Sequence, residues 1–361
     1  MSDPNSSPAR LVRADIRSLR GYAPGEQVND TIKLNTNESA CTPSPAVLQA
    51  LQNLSERQLQ LYPDPQATSL REAAAARFGV SPDQVIAGNG SDDCLTVLYR
   101  SHCLPGDTVA CPWPSYGLYK TLAALQGVTL AQLPYTDIGP GGSWQLPAGF
   151  ADTGARLVLV ANPNNPSATL TPVEQLRSLA DSLGDAILVV DEAYGDFAPT
   201  GSSMLPYLDA HPNLIVLRTF SKSYSLAGGR LGLLFAHRDL CAEYRKVKDS
   251  YNVNVVTQAL GVAALGDSAH LANLVDVTLS GRLTLEQACT SFGWTWAPSA
   301  ANFLLIDVGP RAAELYAQLK ERGILVRYWD TPELRERLRI TVGTAAENQT
   351  LIAALQDLMA S

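Results

Sequence analysis

A lysine with hydroxyl and guanidinium neighbours lies in the run RTFSKSYSLAGGR, residues 218–230. Thr219, Ser221 and Arg230 can donate hydrogen bonds to an anion, and the amine of Lys222 can form a Schiff base with a carbonyl compound. A lysine on its own is most often a solvated surface residue. An amine beside an anion cradle instead predicts a site for a cofactor that carries a carbonyl group and a negative charge.

A carboxylate follows another apolar run of the sequence. Asp191 comes directly after AILVV, residues 186–190. Packing explains such a residue poorly, because a carboxylate removed from water needs a cationic or hydrogen-bonding partner. A protonated pyridine nitrogen would be such a partner. Asp191 is therefore a candidate to pair with a ring nitrogen.

Three further turns carry polar or aromatic residues after apolar runs. Gly90, Ser91 and Asp92 follow VIAG, and a glycine turn that opens a helix suits a phosphate, although helix capping alone explains such a turn. Tyr116 follows TVACP and could stack on a planar ring or complete the core. Asn165 follows RLVLVA and could donate to a ligand oxygen or serve the turn itself.

The elements that position these residues follow from the hydrophobic pattern. From about residue 45 to 245, short runs rich in Val, Ile and Leu alternate with amphipathic segments of helical length. This alternation predicts an α/β fold with a mostly parallel sheet covered by helices, and ligands of such sheets bind beyond the carboxyl ends of the strands. The predicted strands are VIAG (85–88), TVACP (108–112), RLVLVA (156–161), AILVVD (186–191), LIVLRT (214–219) and LGLLFA (231–236).

The pattern changes after about residue 250. A long helical stretch, residues 257–293, precedes an apolar run at 302–308, a helix at 312–323 and strand-like runs at 324–329 and 338–343. This pattern predicts a smaller α+β domain. We therefore predict an N-terminal arm (1–30), a large cofactor-binding domain (31–248) and a small C-terminal domain (249–361) to which the arm contributes.

Composition excludes several classes of protein. A formal net charge of −8, without long runs of Lys or Arg, argues against a nucleic-acid partner. The six cysteines lack CxxC spacing and the four histidines lie far apart, so we expect free thiols and no metal site. The sequence has neither an apolar run of membrane length nor an apolar leader at its start, and it predicts a soluble protein of the cytoplasm.

Motifs along nearly the whole chain resemble those of the fold type I pyridoxal-phosphate-dependent aminotransferases (class I/II superfamily), and among them the histidinol-phosphate aminotransferases. Each motif is weak alone, but their number and order make the resemblance specific. The resemblance implies a seven-stranded, mostly parallel sheet. The motifs are GYAPGEQ (21–27), IKLNTNE (32–38), LYPDPQATSLREAAA (61–75), GNGSDD (88–93), PSYGLYKTLA (114–123), NPNNPS (162–167), VDEAYGDF (190–197), FSKSYSLAGGRLG (220–232), KVKDSYNVN (246–254), GILVRYWDTP (323–332) and LRITVGT (338–344).

The resemblance also implies a role for each residue near a pyridoxal 5'-phosphate cofactor. Lys222 is similar to the lysine that holds the cofactor and then acts as general acid and base, and Asp191 to the aspartate that keeps the pyridine nitrogen protonated. Asn165 and Tyr194 match residues that bind the ring oxygen, and Tyr116 matches the aromatic that stacks on the ring. The predicted catalytic residues are Lys222, Asp191 and Tyr194.

The cofactor phosphate and the oligomeric state are linked in this resemblance. Tyr62 corresponds to a tyrosine that reaches the phosphate from the other subunit, so a homodimer is expected. The predicted phosphate ligands within one chain are Gly90, Ser91, Asp92, Thr219, Ser221 and Arg230.

On the substrate side, Arg339 is similar to the arginine that binds the carboxylate of an amino acid. Arg327 and Tyr22 match residues presented to the phosphate of histidinol phosphate, and Asn37 is a further substrate-side residue. The implied reaction is transamination of L-histidinol phosphate with 2-oxoglutarate to give imidazole-acetol phosphate and glutamate, in histidine biosynthesis. One arginine-rich pocket can accept both donors in turn, because a guanidinium binds carboxylate and phosphate alike.

One segment departs from the family pattern and keeps alternatives open. Where the family reads Asn-Glu-Asn-Pro-aromatic-Gly, this chain reads NTNESAC over residues 35–41 and lacks the proline, aromatic and glycine. An aromatic amino acid aminotransferase, or a decarboxylase of a phosphorylated amino acid, would use the same cofactor residues. A nicotinamide oxidoreductase is disfavoured because the third glycine of GxGxxG is replaced by Asp93.

Overall fold

The computed structural model describes residues 8–19, 21 and 25–360. Its strands are short, and most of those in the largest sheet are buried on both faces, as parallel strands covered by helices must be. The strands are β1 (Ile32–Lys33), β2 (Val85–Gly88), β3 (Thr108–Trp113), β4 (Thr129–Pro134), β5 (Leu157–Ala161), β6 (Ile187–Asp191), β7 (Leu214–Thr219), β8 (Gly232–Ala236), β9 (Thr295–Trp296), β10 (Phe303–Asp307), β11 (Ile324–Leu325) and β12 (Arg337–Thr341).

Seven strands form the main sheet, in the order β2-β8-β7-β6-β5-β3-β4. β8 runs antiparallel to both of its neighbours, and the other pairs are parallel. The predicted seven-stranded, mostly parallel α/β sheet is therefore confirmed. The carboxyl ends of β2, β3, β5, β6 and β7 consequently meet at one edge of the sheet, where the chain presents its polar turns.

Helices cover both faces of this sheet, because alternate strand residues point to opposite sides. α2, α4, α7 and α9 pack on one face, and α5, α6 and α8 pack on the other. The helices are α1 (Ala14–Ser18), α2 (Pro45–Gln52), α3 (Glu56–Gln60), α4 (Thr68–Phe78), α5 (Ser91–His102), α6 (Leu118–Gln126), α7 (Val173–Ser182), α8 (Arg238–Val247), α9 (Val255–Gly266), α10 (Ser268–Ser291), α11 (Ala312–Glu321) and α12 (Ala345–Ala360).

The long helical stretch predicted after residue 250 is divided into two helices at Asp267. The Asp267 carboxylate accepts a hydrogen bond from the backbone N–H of His270 at 3.0 Å, which caps α10, and another from the Ser44 hydroxyl at 2.5 Å. An aspartate competes well for backbone donors at a helix start, and the continuous apolar pattern concealed this break.

A smaller antiparallel sheet, in the order β12-β10-β9, packs against α10, α11 and α12. The predicted strand at 324–329 is shorter than expected: β11 pairs with β1 only over Ile324–Leu325, and Arg327 forms an isolated bridge with Arg339. Leu34 packs in the same cluster as α11 and α12. The domain boundaries at residues 30 and 248 remain a prediction.

A loop after β4 joins the two sheets. Its ends are paired at Thr136 and Gln145, and the backbone N–H of Gly141 donates to Asp307 at 2.9 Å. The guanidinium carbon of Arg337 lies 5.3 Å from the centroid of the Trp144 ring. These contacts tie the edge of the main sheet to β10 and β12.

Candidate active site

A cavity of about 580 Å³ lies at the edge of the main sheet where the parallel strands end. Its lining includes the last residues of β3, β5, β6 and β7, which agrees with the general position of ligands in α/β sheets. Most residues that the sequence predicted for the site therefore converge on one cavity. These are Asn37, Ser91, Asp92, Tyr116, Asn165, Asp191, Tyr194, Thr219, Ser221, Lys222, Arg230, Arg327 and Arg339.

Two predicted residues lie outside the lining of the cavity, and a third is not among the described residues. Gly90 is not part of the lining; its φ of 89° favours glycine, and a Cβ atom there would lie 2.7 Å from Nη2 of Arg230 and force that guanidinium to shift. Tyr62 is 81% exposed, and its ring stacks on that of Tyr251 at 4.5 Å between centroids. Its predicted role in a partner subunit remains a prediction. Tyr22 lies outside the described residues.

Asp191 ends β6 at one side of the cavity and is only 5% exposed. Its Oδ2 accepts a hydrogen bond from the Tyr119 hydroxyl at 3.0 Å, and its Oδ1 accepts one from the backbone N–H of Ala193 at 3.2 Å. Burial raises the pKa of Asp191 to about 6. The hydrogen bond from Tyr119 lowers this pKa, and the negative charge of Asp92 raises it further. A cation placed in the cavity beside this carboxylate would favour its ionised form and lower this pKa.

The opposite side of the cavity is suited to an anion. α5 begins at Ser91, so the N–H groups of its first turn and the positive end of its dipole point outward. Nη2 of Arg230 lies 3.4 Å from Oδ2 of Asp92, and the Tyr116 hydroxyl donates to Oδ1 of the same carboxylate at 3.2 Å. Asp92 thus connects the guanidinium with the ring that the sequence predicted to stack on a ligand.

Lys222 belongs to the turn after β7, and its amine contacts the wall of the cavity. Nζ donates to the carbonyl oxygen of Thr36 at 3.0 Å and lies 5.8 Å from the centroid of the Tyr194 ring. Burial lowers the pKa of Lys222 to about 8, and the positive charge of Arg339 contributes, whereas Glu38 acts in the opposite sense. A substantial fraction of this amine is therefore neutral and nucleophilic near physiological pH.

Asn37 and Tyr194 form a hydrogen-bonded pair in the cavity wall. Nδ2 of Asn37 donates to the Tyr194 hydroxyl oxygen at 2.9 Å. The Asn37 amide oxygen accepts from the Thr341 hydroxyl at 3.0 Å, and the Asn37 carbonyl accepts from Nδ2 of Asn302 at 3.1 Å. Asn37 is therefore fixed from several sides, and it aligns the phenol that faces the lysine.

The two predicted substrate arginines lie opposite each other in an antiparallel backbone bridge. The N–H of each donates to the carbonyl oxygen of the other at 2.9 Å. The guanidinium carbons of Arg327 and Arg339 are each 5.2 Å from the centroid of the Trp329 ring. Arg339 also donates to Oδ1 of Asn165 and to the carbonyl oxygen of Asn35, both at 2.6 Å. Like charges held this close favour an anionic ligand between or beside them.

Sequence reasoning missed two side chains of this site. Tyr119 lies three residues after Tyr116 in the quoted motif PSYGLYKTLA, and i, i+3 spacing near a helix start places both on one side. Trp329 lies two residues after Arg327, and extended chain places such residues on the same side. Either spacing could have indicated a residue of the site, but an aromatic side chain at either position is equally typical of the hydrophobic core.

A buried charge network lies directly behind the cavity. Arg218 pairs with Glu192 at 2.9 Å and with Asp196 at 3.0 Å, and the Ser223 hydroxyl donates to Asp196 at 2.5 Å. Arg218, Glu192 and Ser223 are the sequence neighbours of Thr219, Asp191 and Lys222 respectively. The network therefore holds in register the strand ends that carry three site residues.

Among the described residues, no group of three or more His, Cys, Asp or Glu side chains could hold a metal ion. None of the helices within residues 8–19 and 25–360 is long and apolar enough to cross a membrane. The buried carboxylate of Asp191, the amine of Lys222 and the start of α5 together suit an organic compound with a basic ring nitrogen, a carbonyl group and a phosphate.

Comparison with known proteins identifies the family. The model of aminotransferase class I and II matches residues 29–355, and the chain belongs to this family. The histidinol-phosphate aminotransferase 1 of Trichormus variabilis is 39% identical over 96% of this chain and 98% of its own. The histidinol-phosphate aminotransferase of Rhodopirellula baltica is 39% identical over 97% and 96%. The crystal structure of histidinol-phosphate aminotransferase from Sinorhizobium meliloti, in complex with pyridoxal-5'-phosphate, has a TM-score of 0.88 and 28% identity, with 99% of both chains covered.

Enzymes of this family depend on pyridoxal 5'-phosphate, and the donor groups of the cavity fit that cofactor. Asp191 offers a buried carboxylate to a pyridinium N–H, Lys222 offers an amine to an aldehyde, and the first turn of α5 offers backbone donors to a phosphate. The chain is therefore a pyridoxal-phosphate-dependent transferase.

Proposed function

We propose that this enzyme transaminates L-histidinol phosphate with 2-oxoglutarate, giving imidazole-acetol phosphate and glutamate in histidine biosynthesis. The observation that carries the proposal is the pair of arginines, Arg327 and Arg339, joined by their backbones and lining the same cavity as Lys222. The two relatives that are 39% identical over nearly the full chain, both named histidinol-phosphate aminotransferases, support it. A cytoplasmic location follows from this pathway as part of the proposal.

Each residue on the cofactor side has a defined task in this proposal. When bound, pyridoxal phosphate supplies an electron sink for the pair of electrons left at the substrate's α carbon. Asp191 holds the proton on the ring nitrogen, and Tyr194 and Asn165 bind the ring oxygen. With the cofactor bound, Lys222 would take the proton from the substrate's α carbon as general base and hold it at Nζ for its return as general acid. Tyr116 covers one face of the ring.

The phosphate of the cofactor is assigned to the anion side of the cavity. Backbone N–H groups at Ser91 and Asp92, the hydroxyls of Thr219 and Ser221, and the Arg230 guanidinium are its proposed ligands. Gly90 allows that guanidinium to approach α5, since a Cβ atom would collide with it. A phosphate at a helix start needs no dedicated cationic cluster, which is consistent with the acidic composition of the chain.

The substrate side accepts two donors in turn. Arg339 binds the carboxylate of glutamate, and Arg327, with Tyr22 of the N-terminal arm, binds the phosphate of histidinol phosphate. Asn37 positions Tyr194 beside the reacting amine through its 2.9 Å hydrogen bond. Because Arg327 and Arg339 line one cavity, the two substrates would occupy it in turn and not together.

We further propose that the enzyme is a homodimer in which Tyr62 reaches the cofactor phosphate of the partner. Tyr62 is exposed together with Leu61 and Leu59, its near neighbours in the sequence. An apolar surface of this kind favours burial against a second copy. Sedimentation of the cofactor-bound protein tests the proposal: a single species of twice the chain mass is expected, and a monomer with full activity would contradict it.

A half-reaction assay tests the proposed substrate. Purified enzyme loaded with pyridoxal phosphate is mixed separately with histidinol phosphate, phenylalanine or phosphothreonine, and the visible absorbance of the bound cofactor is followed. Histidinol phosphate should bleach it fastest, and 2-oxoglutarate should then restore it. Faster bleaching by phenylalanine would make the enzyme an aromatic aminotransferase and assign the specificity change to residues 39–41. Release of carbon dioxide from phosphothreonine would make it a decarboxylase.

A further inference from the structure

The core of the enzyme contains a tyrosine whose hydroxyl points into the site. Tyr119 lies in the first turn of α6 and is 1% exposed, with its ring packed among the apolar side chains beneath the main sheet. A buried phenol loses its hydrogen bonds to water, so it needs a partner inside the protein. The partner is Oδ2 of Asp191, at 3.0 Å.

We propose that Tyr119 is a positioning residue that holds Asp191 ionised and correctly oriented toward the ring nitrogen of pyridoxal phosphate. The inference rests on the proposed function, in which Asp191 faces that nitrogen. The backbone N–H of Ala193 binds one carboxylate oxygen and the Tyr119 hydroxyl binds the other, so rotation of the carboxylate is restricted. Each oxygen has a second lone pair, so the carboxylate can still accept a hydrogen bond from the cofactor.

The charges around Asp191 explain why such a donor is needed. Burial disfavours its ionised form, and Asp92 and Glu192 add negative charge nearby, so the pKa of Asp191 is raised to about 6. The hydrogen bond from Tyr119 lowers the pKa of Asp191, because a phenol donates a stronger hydrogen bond to the ionised carboxylate than to the protonated acid. Burial and the same carboxylate raise the pKa of Tyr119 well above its ordinary value, so the phenol keeps its proton and remains the donor.

The position of Tyr119 is itself fixed by its neighbours. The Tyr99 hydroxyl donates to the carbonyl oxygen of Tyr119 at 2.9 Å, and the Tyr116 ring meets the Tyr119 ring edge to face at 5.6 Å. Tyr116 in turn donates to Asp92, the partner of Arg230. The start of α6 therefore connects the two ends of the cofactor site, with Tyr119 acting on the nitrogen end.

Cofactor affinity, measured with two forms of the cofactor, tests the proposal. Tyr119→Phe removes the hydroxyl and keeps the ring. Cofactor-free protein is titrated with pyridoxal phosphate and with its deaza analogue, in which a C–H group replaces the ring nitrogen, and binding is followed by absorbance. We expect Tyr119→Phe to weaken pyridoxal phosphate about tenfold, since hydrogen bonds to charged groups contribute that much, and to leave the analogue unchanged. Because both constants come from one preparation, partial unfolding cancels in their ratio.

The matched control is Tyr244→Phe, which also removes a buried tyrosine hydroxyl and its hydrogen bond, here to His102, but has no contact with Tyr119 or Asp191 among the hydrogen bonds of the described residues. This variant should bind the two cofactor forms in the same ratio as the unchanged enzyme. Equal weakening of both forms by Tyr119→Phe would mean that Tyr119 only packs the core, and this result would overturn the proposal.

A second variant separates this inference from the proposed function. Asp191→Asn should abolish the preference for pyridoxal phosphate over the analogue, and adding Tyr119→Phe to it should have no further effect on the ratio. An Asp191→Asn enzyme that keeps the preference would refute the assignment of Asp191, and with it the inference. Loss of the preference in Asp191→Asn, together with an unchanged ratio in Tyr119→Phe, would refute the role of Tyr119 alone.

Discussion

Replacement of Trp329 by leucine tests whether one indole ring holds both substrate arginines in place. The guanidinium carbons of Arg327 and Arg339 each lie 5.2 Å from the ring centroid, within the range of cation–π attraction. Without the ring, each arginine recovers side-chain freedom that binding must then remove, at about 1 kcal/mol per side chain. Because the proposed function assigns glutamate to Arg339 and histidinol phosphate to Arg327, each substrate should lose about 1 kcal/mol of binding free energy, which raises its dissociation constant about fivefold.

Half-reaction kinetics measure this effect directly, because the substrate dependence of cofactor bleaching gives the dissociation constant separately from the maximal rate. The constant should rise for both histidinol phosphate and glutamate, whereas the maximal rate should change little, since Lys222 keeps its hydrogen bond to Thr36. Trp329→Phe retains an aromatic face and should restore most of the affinity.

The matched control is Trp144→Leu. Trp144 stacks with Arg337, two residues before Arg339 on the same strand, but it does not line the cavity. This control should leave both dissociation constants unchanged, even though it removes a comparable ring from the core. Unchanged binding in Trp329→Leu, or an equal loss in Trp144→Leu, would refute the reasoning.

Three further predictions concern the lysine and the network behind it. Lys222→Ala should slow the half-reaction by about 100- to 10,000-fold or more, the usual contribution of a general base, while substrate still perturbs the spectrum of bound cofactor; a near-normal single-turnover rate would contradict its role. Because the pKa of Lys222 is lowered to about 8 and only the neutral amine attacks an aldehyde, the rate at which cofactor-free enzyme captures pyridoxal phosphate should fall about tenfold per pH unit below that value. A stopped-flow rate that stays constant between roughly pH 6 and 8, where the neutral fraction changes most, would show that the amine does not titrate with this pKa. Arg218→Met leaves Glu192 buried without its cation, so the free energy of unfolding in urea should fall by about 3 to 5 kcal/mol; a loss well below this range would show that the network contributes little to stability.

The convergence of the predicted cofactor residues on one cavity could be predicted from the sequence because most of them lie at or just after strand ends. Asp191 and Thr219 are the last residues of β6 and β7, and the apolar runs before them are unmistakable in a sheet buried on both faces. Because the carboxyl ends of parallel strands meet at one edge of the sheet, the proximity of these residues follows from the strand assignment alone. Lys222 and Ser91 follow within three residues of a strand end, so their placement depends only on short turns.

Other features depend on contacts between distant parts of the chain. The hydrophobic pattern did not predict β4, because this strand lies at the edge of the sheet and its residues are largely exposed or half-buried. The bond between Tyr119 and Asp191 joins residues 72 positions apart, and nothing in the local pattern distinguishes that phenol from an ordinary core ring. The pairing of Arg327 with Arg339 is likewise an isolated bridge between the chain just after β11 and the middle of β12, which the lengths of the apolar runs did not reveal.

The residues proposed to bind the cofactor and those proposed to bind the substrate lie in different parts of the chain, and this has a consequence for engineering. The cofactor groups belong to the rim of the seven-stranded sheet, whereas Arg327, Trp329 and Arg339 belong to a stretch of 13 residues, 327–339, whose backbone pairs with itself. In the proposed function, the arginines for the substrate and the groups for the cofactor are therefore carried by different pieces of the polypeptide. A library that randomises the short stretch can search for new amine donors while every group that handles the cofactor is inherited unchanged.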